Sequence, residues 1–550
     1  MSAPMKLPVS RWLLAALAVF AIAAGIDNLQ RPLANPDEGR YSEISREMVA
    51  TGDWTTPRLD GIKYFEKPPL QYWATAVAFE IFGANEPSAR LYVWLAGFAT
   101  LLIVGFAGTR MLGLETGLAA VLALVASPYF IALGGIVTLD MGLTLWTTAT
   151  FAALLLAEHA VDRPKEQRRW ILAAWISMAL AVLSKGLVGI VFAGAAVFFV
   201  MVLGRSLAVL KRMHWGWGIA IFLAIAAPWF ILVSRANPEF ARFFFIHEHF
   251  ERFLTHEHRR VQPAWFFIPI VLLGFLPWMV ALVAAIRHAW RTEAVAGFQP
   301  LRLSLLWSAF ILLFFSASGS KLPAYVLPLF PSAALVLGRY LATGPTRRLA
   351  LWLALVAPFG IAIVVAAMGL PDSARDTWTR ELYVKAQPWA FAAGAIVIVS
   401  CLAFAWTLFN GHRWVSLIGT AFAMVMIVGC VDNAYEELSP RQSGQQLARV
   451  MAPVVRPETR LYSVSHYDQT LPFYLGRTFM LVNYVDEFET GQKAEPACCI
   501  ARIDDFPAEW LRPGDALAIM QPGAFEKMKA LGLPMQVLHD DPRRVLVRKP

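Results

Sequence analysis

Charged residues are scarce in this chain. Only 16% of its 550 residues are Asp, Glu, Lys or Arg, whereas 57% are hydrophobic, and the mean hydropathy is +0.53. Soluble globular proteins typically contain about 25% charged and about 45–50% apolar residues. The composition therefore excludes a soluble globular protein, a disordered chain and a fibrous protein.

Cysteines and internal repeats are also lacking. There are four cysteines; Cys401 and Cys430 lie in hydrophobic segments, and Cys498 and Cys499 are adjacent, which is a poor start for a structural disulfide. A disulfide scaffold is thus excluded. Because transporters usually show internal repeats, the absence of one argues against a transporter.

Long hydrophobic segments are what the sequence does contain. A membrane helix needs about 20 consecutive apolar residues, and such segments recur through the first 430 or so residues. We predict thirteen membrane spans. They cover residues 11–28, 89–109, 113–132, 136–157, 170–184, 186–203, 216–234, 264–286, 303–318, 324–340, 350–370, 389–409 and 415–431.

Charge predicts the orientation of these spans. The net charge of +9 is concentrated in short basic connections, such as 163–169 and 347–348, which the positive-inside rule places in the cytoplasm. Residues 29–88 and 432–550 then lie outside, in the periplasm of a bacterial-looking chain. We interpret residues 1–431 as a membrane domain whose first outside loop is 29–88. The positive charge is assigned to cytoplasmic loops, so no nucleic-acid partner is expected.

The first outside loop contains an informative helix start. Asn35 can cap a helix with Pro36 at its first position and Glu38 at its third, which is a capping-box arrangement. The helix is predicted to run to about Ala50. Its three- and four-residue periodicity is amphipathic, which favours a position on the membrane surface.

Two carboxylates are placed at outside helix ends. Asp37 follows the first span, and Asp140 lies at the outer end of the fourth. Charge beside the hydrocarbon is costly and indicates function. Together they fit acid–base work, metal binding or recognition of a cation. A purely structural alternative for Asp37 is a favourable interaction with the helix dipole.

Three lysines occur on the same side. Lys67 follows Glu66 and precedes two prolines that stiffen the loop, while Lys185 and Lys321 stand beside serine and glycine. Such lysines can hold phosphate near exposed backbone amides. The alternatives are a solvated loop for Lys67 and interfacial snorkelling for the other two.

Two His-Glu-His triplets, at 247–249 and 256–258, lie nine residues apart in an aromatic outside segment. Histidines near carboxylates can bind a divalent metal, although no complete H-E-x-x-H motif is present. Arg252, between the triplets, is expected to face a phosphate at head-group depth.

The composition changes at residue 432. Short apolar runs at Thr459–Ser463, Thr478–Val482, Ala516–Met520 and Arg544–Val547 predict strands, and Ala524–Leu531 predicts a helix. Residues 432–550 are therefore predicted to form a small periplasmic α/β domain. Ser465-His466-Tyr467-Asp468 lacks a nucleophile elbow and is interpreted as a loop.

These motifs together resemble a known family. The chain carries, in order, Asp-Glu-Gly-Arg-Tyr (37–41), Phe-Glu-Lys-Pro-Pro-Leu (65–70), Thr-Leu-Asp-Met (138–141), Ser-Lys-Gly (184–186) and Ser-Lys-Leu-Pro-Ala-Tyr (320–325). This order resembles the protein O-mannosyltransferase superfamily. Within it, the chain is most similar to the bacterial branch of undecaprenyl phosphate–4-amino-4-deoxy-L-arabinose arabinosyltransferases, which modify lipid A.

The resemblance implies a fold and a chemistry. The fold would be GT-C, a polytopic α-helical membrane glycosyltransferase with about thirteen spans, periplasmic juxtamembrane helices and a C-terminal periplasmic domain. The donor would be aminoarabinose on undecaprenyl phosphate and the acceptor a phosphate of lipid A, transferred with inversion in the inner membrane. The family implies no nucleotide cofactor.

The resemblance also suggests roles for residues. Asp37 and Asp140 match the family's catalytic carboxylates, and we expect Asp37 to orient the acceptor or the sugar ammonium before acting as a base. Lys67, Lys185, Arg252 and Lys321 would neutralise the leaving phosphate. The sugar pocket is assigned to Arg40, Tyr41, Tyr64 and Tyr325. A divalent metal is assigned to Glu66, His247 and His249, with binding of the sugar amine as an equal alternative for Glu66.

Three other functions compete with this interpretation. A transferase of the same fold with a protein Ser/Thr or another glycolipid acceptor is the nearest, and it would need a true general base. A flippase or transporter would place its polar residues near the bilayer midplane. A structural scaffold would have no use for paired carboxylates beside a lysine-rich loop.

Overall fold

The computed structural model describes residues 29–246, 262–292 and 298–550, together with residues 18, 21, 22 and 25. Seven of its helices are long and apolar enough to cross a membrane. They span Glu86–Leu112, Leu139–His159, Trp215–Ala236, Pro300–Ala317, Thr346–Met368, Thr377–Phe409 and Arg413–Gln442. Thr346–Met368 comprises two consecutive helices, Thr346–Ala354 and Ala357–Met368.

An eighth span is possible where Phe267–Gly274 meets Leu276–Arg291 at a 91° bend. Other described membrane-part helices are Leu114–Val125, Pro128–Leu133, Pro164–Lys185, Val188–Gly204, Ala208–Arg212, Phe240–Arg242 and Leu329–Thr343. All twelve spans predicted from residue 89 onward contain a helix at the expected place. The count of thirteen spans stays a prediction, because only seven or eight described helices meet the length and composition of a span.

Aromatic and small aliphatic side chains fill the core of the membrane part. Phe151 and Trp307 stack at a ring-centroid distance of 4.3 Å, and Phe192 packs edge-on against Trp307. A large buried cluster joins these rings to alanines and leucines of most helices. Van der Waals packing of this kind holds membrane helices together where lipid offers no hydrophobic driving force.

The first outside loop folds into two helices and a short hairpin. The helix Asp37–Thr51, called here the first-loop helix, is followed by strands β1 (Arg58–Leu59) and β2 (Ile62–Lys63) and by the helix Leu70–Phe82. The first-loop helix begins within one residue of the predicted start. The surrounding contacts, however, differ from those predicted.

The predicted capping box is wrong. Pro36 occupies the N-cap position and no side chain caps the helix. The Asn35 amide instead donates to Asp468 Oδ1 at 2.9 Å, and the Glu38 carboxylate accepts from the backbone amide of Ala34. Asn35 is unavailable as a cap because it binds a segment 433 residues away.

The first-loop helix is also more buried than a surface helix. Ten of its fifteen residues are buried, including Glu38, Arg40, Glu43 and Glu47. The pattern predicted one polar face open to water, but ion pairs and the C-terminal part of the chain cover that face. A charged side chain can be buried in this way only when it is paired.

The C-terminal part forms a six-stranded sheet in the order β5-β4-β3-β6-β8-β7. Strands β5, β4, β3 and β6 run parallel, and β8 and β7 pair antiparallel. The strands are β3 (Arg460–Val464), β4 (Met480–Val482), β5 (Cys499–Ile500), β6 (Ala516–Met520), β7 (Gln536–Asp541) and β8 (Arg544–Arg548). The helices are Gln445–Met451, Leu471–Leu475, Glu489–Ala494, Phe506–Trp510 and Pro522–Ala530.

The four predicted strands and the predicted helix are confirmed, and β5 and β7 are additional. The helix Arg413–Gln442 continues ten residues past position 432, so the change in composition falls within a helix. We call residues 443–550, which follow this helix, the C-terminal domain.

The C-terminal domain and the first outside loop share one hydrophobic core. Ile44, Tyr64 and Phe79 of the loop lie in the same buried cluster as Tyr467 and Phe488 of the C-terminal domain. Phe79 contacts Phe473 at a ring distance of 5.7 Å. This shared core fixes the C-terminal domain against the first-loop helix.

Candidate active site

Asp37 lies at the first turn of the first-loop helix and is the more accessible of the two predicted carboxylates. Its side chain is 39% exposed, whereas that of Arg40, one turn later, is 8% exposed. Arg40 Nη1 donates to Asp37 Oδ1 at 3.0 Å. The accessible carboxylate of Asp37 is therefore held by the buried guanidinium of Arg40.

Two tyrosines, Tyr41 and Tyr64, lie near Arg40, and a third, Tyr72, packs beside Tyr41. Tyr41, Tyr64 and Tyr72 are all buried, and the rings of Tyr41 and Tyr72 lie 6.0 Å apart. Burial raises the pKa of Tyr41 and Tyr64 well above the ordinary value, and nearby Asp37 and Glu66 raise it further for Tyr41 and Tyr64 respectively. The phenols are thus neutral hydrogen-bonding groups. The Tyr64 hydroxyl is buried with no hydrogen-bond partner among the described residues.

Glu66 and Lys67 lie in the loop that follows the hairpin. Lys67 Nζ donates to the Glu66 carbonyl oxygen at 2.9 Å and lies 3.7 Å from Glu66 Oε2. Both side chains are partly exposed, at 21% and 14%. The Glu66 charge also reaches Tyr41 and Tyr64, which places this pair beside the Asp37–Arg40 cluster.

Asp140 and Lys185 form a second centre. Asp140 is buried in the first turn of the helix Leu139–His159, and Lys185 Nζ forms an ion pair with its Oδ1. Lys185 Nζ also lies 4.5 Å from the ring centroid of Tyr325, a cation–π geometry. The sequence predicted that these three residues share a side of the membrane, and the structure brings them into contact.

Two details of the lysine predictions are corrected. Lys185 is the last residue of the helix Pro164–Lys185, so it stands beside helix carbonyls rather than at a helix start with free amides. Lys321 is buried rather than snorkelling, and its Nζ donates to the carbonyl oxygen of Ser318 at 2.6 Å. Phosphate contact by either residue stays a prediction.

The residue that sequence reasoning missed is Glu38. It is 1% exposed and lies between two arginines, with Arg31 Nη1 at 2.8 Å and Arg90 Nε at 2.9 Å. Its carboxylate also accepts from the amide of Val137 at 3.0 Å. Arg90, a charge within a long apolar helix, was the signal in the sequence, because such a charge needs a partner.

Glu38 connects the two centres. It adjoins Asp37 in the chain, and Val137 lies three residues before Asp140. Burial alone would raise the pKa of Glu38, but the charges of Arg31 and Arg90 outweigh it and lower this pKa to about 2. Glu38 is therefore an ionised structural carboxylate and does not act as an acid or base at neutral pH.

The C-terminal domain contacts the residues on either side of Asp37. Glu487 Oε1 lies 3.3 Å from Arg40 Nη2, and Asp468 binds Asn35 while forming an ion pair with the buried Arg544. Ser465–Asp468, interpreted from sequence as a loop, thus belongs to the segment that docks the domain. No local pattern signals this contact, because its partners are more than 400 residues apart.

The remaining predicted site residues, Arg252, His247 and His249, lie outside the residues that the structure describes. Within the part of the chain that the structure describes, there is no group of three or more His, Cys, Asp or Glu side chains that could hold a metal ion. Glu66 alone of the predicted ligands can be located.

The arrangement can bind an anion beside an accessible carboxylate. Lys67 and Lys185, each beside a carboxylate, supply cationic groups, and the buried Tyr41 and Tyr64 supply neutral donors and acceptors. Asp37 supplies a negative group open to a substrate. Cations aimed at a departing phosphate stabilise charge that develops in a transition state, which is often the largest catalytic effect.

Two protein families match different parts of the chain. The family described as dolichyl-phosphate-mannose-protein mannosyltransferase matches residues 9–244. The family described as aminoarabinose transferase C-terminal domain matches residues 447–549. The two matches cover the first outside loop and the C-terminal domain that contacts it.

Among named relatives, the undecaprenyl phosphate-alpha-4-amino-4-deoxy-L-arabinose arabinosyl transferase of Shewanella sediminis is 34% identical over 319 residues. The protein of the same name with the suffix 1, from Sodalis glossinidius, is 36% identical over 330 residues. These matches cover 56% and 59% of this chain. They span 56% and 58% of the relatives' own lengths, which is less than two thirds.

A solved structure matches over nearly the whole length. ArnT from Cupriavidus metallidurans, in a crystal structure bound to undecaprenyl phosphate, is 32% identical with a TM-score of 0.92. The match covers 98% of this chain and 98% of that one, so it includes the membrane helices, the first outside loop and the C-terminal domain together. This multi-pass membrane protein accordingly has the GT-C glycosyltransferase fold and belongs to the aminoarabinose transferase family.

Proposed function

We propose that this protein is a pentosyltransferase that moves 4-amino-4-deoxy-L-arabinose from undecaprenyl phosphate to a phosphate of lipid A. The observation that carries the proposal is the match, over 98% of both chains, to an ArnT whose structure holds undecaprenyl phosphate. The reaction would take place at the periplasmic face of the inner membrane. The basic connections on the opposite side of the chain support that orientation.

The candidate site supports a phosphate leaving group. Lys67 lies beside the Asp37–Arg40 cluster, and Lys185 lies near Tyr325 at the second centre. The acceptor phosphate is already an anion, so it does not require a strong general base. Asp37 is therefore proposed to orient the acceptor or the sugar ammonium, with proton removal as a secondary role.

A cavity in the membrane part supports lipid substrates. It has a volume of about 400 Å³ and lies against the helix Glu86–Leu112 from Trp94 to Phe106. Twelve helical positions correspond to about 18 Å, close to the roughly 15 Å of one hydrocarbon leaflet. Its lining also includes Gly97, Phe98, Leu118, Phe130, Val425 and Gly429. A hydrocarbon chain of a lipid fits an apolar cavity that extends along this length of helix.

A second candidate function is transfer to a protein Ser or Thr hydroxyl. The match of residues 9–244 to the protein mannosyltransferase family favours it. The match of residues 447–549 to the aminoarabinose transferase C-terminal domain favours lipid A instead. Modification of a lipid A phosphate with an amino sugar would reduce surface negative charge and hence the binding of cationic peptides such as polymyxin.

Mass spectrometry of lipid A tests the proposal directly. The protein is expressed in cells that make the donor but lack their own transferase. We expect lipid A to gain the mass of aminoarabinose, and cells with an empty vector to show none. Unmodified lipid A, with the protein present in the membrane, would refute the acceptor and direct the search to glycosylated proteins or other glycolipids.

Replacement of Lys67 tests the donor-phosphate role. A hydrogen bond to a charged group contributes about 1.5–3 kcal/mol, so Lys67→Ala is expected to raise the KM for the donor roughly 10- to 100-fold. The KM for lipid A should change much less. Steady-state kinetics with each substrate varied in turn measures both constants.

Lys493→Ala is the matched control, because Lys493 is 74% exposed in the C-terminal domain and pairs with Glu489. It should leave both constants unchanged. An equal rise of the two constants in Lys67→Ala would count against a specific contact with the donor phosphate.

We further propose that Glu66, His247 and His249 hold a divalent metal ion. Treatment with EDTA is then expected to lower transfer several-fold and to reduce the melting temperature, since a ligand at 100 times its Kd stabilises the folded state by about 2.7 kcal/mol. Readdition of a divalent cation should restore both. Glu66→Ala should melt at the same temperature with and without EDTA, and an EDTA effect of unchanged size in that variant would remove Glu66 from the metal site.

A further inference from the structure

The contacts of Arg40 lead from the candidate active site into the C-terminal domain. One side of its guanidinium, Nη1, binds Asp37 at 3.0 Å, and the other side, Nη2, lies 3.3 Å from Glu487 Oε1. Among the described residues these two carboxylates are its only ion-pair partners within 4.0 Å. Arg40 therefore bridges an accessible carboxylate of the first outside loop and a buried carboxylate of the C-terminal domain.

Glu487 is held in place independently of Arg40. Its side chain is 6% exposed, and the Gln469 side-chain amide donates to the same Oε1 at 3.1 Å. The neighbouring Phe488 is buried in the core shared with the first outside loop and packs edge-on against Tyr467 at 4.9 Å. The carboxylate of Glu487 and the backbone beside it are thus both held by the C-terminal domain, so Glu487 is a rigid support for Arg40.

The backbone of the C-terminal domain lies directly against the same turn of the first-loop helix. A Cβ atom at Gly39 would lie 2.5 Å from the carbonyl oxygen of Gln469 and 2.6 Å from the amide nitrogen of Thr470. Any side chain at position 39 would force the two backbones apart. The absence of a Cβ at Gly39 lets the backbone of Gln469 approach the helix and Glu487 reach Arg40, the next residue along the helix.

A guanidinium in this setting needs both partners. Arg40 is nine-tenths buried, and its Nε is buried without a hydrogen-bond partner among the described residues. Burial of a charge is unfavourable unless it is paired, and the geometry of the planar guanidinium fixes the direction of each contact. Loss of Glu487 would leave one side of the group unpaired and free to turn, and Asp37 would turn with it.

We propose that Glu487 is a positioning residue of the transfer reaction, which holds Arg40 and thereby fixes the orientation of the Asp37 carboxylate. The C-terminal domain then completes the active site through the contact of Glu487 with Arg40. This inference deepens the proposed function and rests on it.

The test is kinetic, with Glu487→Gln as the main variant. A displacement of about 1 Å at a reacting group can reduce a rate about 100-fold, so we expect kcat to fall roughly 10- to 100-fold. The donor KM should stay within about twofold, because Glu487 is only 6% exposed and is proposed to act through Arg40. Glu487→Asp, which retains the charge, should recover most of the lost kcat.

Two further variants separate positioning from folding. Gln469→Leu removes the amide that supports Glu487 and is expected to lower kcat by a smaller factor. Glu489→Gln is the matched control, since Glu489 is 61% exposed two residues away, and its kcat should equal that of the unsubstituted protein. The melting temperature of each purified variant is measured in the same detergent.

The outcomes distinguish the inference from the proposed function. Absence of any product from the unsubstituted protein would refute the function itself. With an active protein, the inference is overturned by an unchanged kcat in Glu487→Gln, by a rise of the donor KM alone, or by a loss of kcat that tracks a loss of folded protein. A lower kcat at unchanged melting temperature, restored in Glu487→Asp, supports it.

Discussion

Replacement of Asp37 by Asn is expected to reduce kcat for sugar transfer at least about 100-fold while the protein still folds. Groups that orient a reactant or transfer its proton typically contribute about 100- to 10,000-fold to a rate. Asp37 is 39% exposed at the start of the first-loop helix, and its one ion pair within the described part of the chain is with Arg40, so the amide should fit without repacking. The measurement is the single-turnover rate with purified protein, donor and lipid A.

Asp372→Asn provides the comparison, because Asp372 is a 79% exposed carboxylate that pairs with an exposed arginine, Arg380. Its rate should match that of the unsubstituted protein. Full activity in Asp37→Asn would remove Asp37 from the catalytic residues. A rate restored at high pH would instead assign it to binding of a cation, because the sugar amine loses its charge there.

Replacement of Glu38 by Gln should have a very different result, namely loss of the folded protein. Glu38 is 1% exposed and is the shared partner of Arg31 and Arg90. Removal of one member of a buried ion pair typically costs about 3–5 kcal/mol, because the other charge remains buried. Since proteins are stable by only about 5–15 kcal/mol, we expect a large drop in yield and melting temperature.

Acid should weaken the same contact in the unsubstituted protein. The pKa of Glu38 is lowered in the folded state to about 2, so its contribution to stability is present above the ordinary carboxyl pKa of about 4.5 and is lost as the pH falls towards 2.

Glu80→Gln, on the exposed side of the helix Leu70–Phe82, is the control for Glu38→Gln and should melt like the unsubstituted protein. A Glu38→Gln protein of normal melting temperature would contradict the structural role.

Hydropathy predicted the positions of the helices well, because a membrane span must satisfy its backbone internally and so leaves a long apolar signal. Four of the six strands of the C-terminal sheet, β3, β4, β6 and β8, were found for a similar local reason, because each forms a short apolar run. The start of the first-loop helix was also predicted to within one residue. The contacts of Asn35 and Glu38 were not, because both depend on partners far along the chain.

The candidate site was predicted as a set of residue types and not as a geometry. Lys185 and Asp140 were both identified, but their ion pair brings together two helix ends 45 residues apart, and no local pattern specifies it. Arg90 carried a signal that the prediction did not use. An arginine within a long apolar helix requires a buried acid, but the nine acids of residues 29–88 leave its partner unspecified, and only the structure identifies Glu38.

Asn35 contacts Asp468, which lies 433 positions later in the chain. This contact can therefore form only late in synthesis. Ribosomes add about 5–20 residues per second, so Asp468 is made roughly 20–90 s after Asn35. Throughout that interval the first outside loop lacks the part of its core that comes from the chain end. The first outside loop of the nascent protein therefore reaches its full set of contacts only after residues 467–488 have been made.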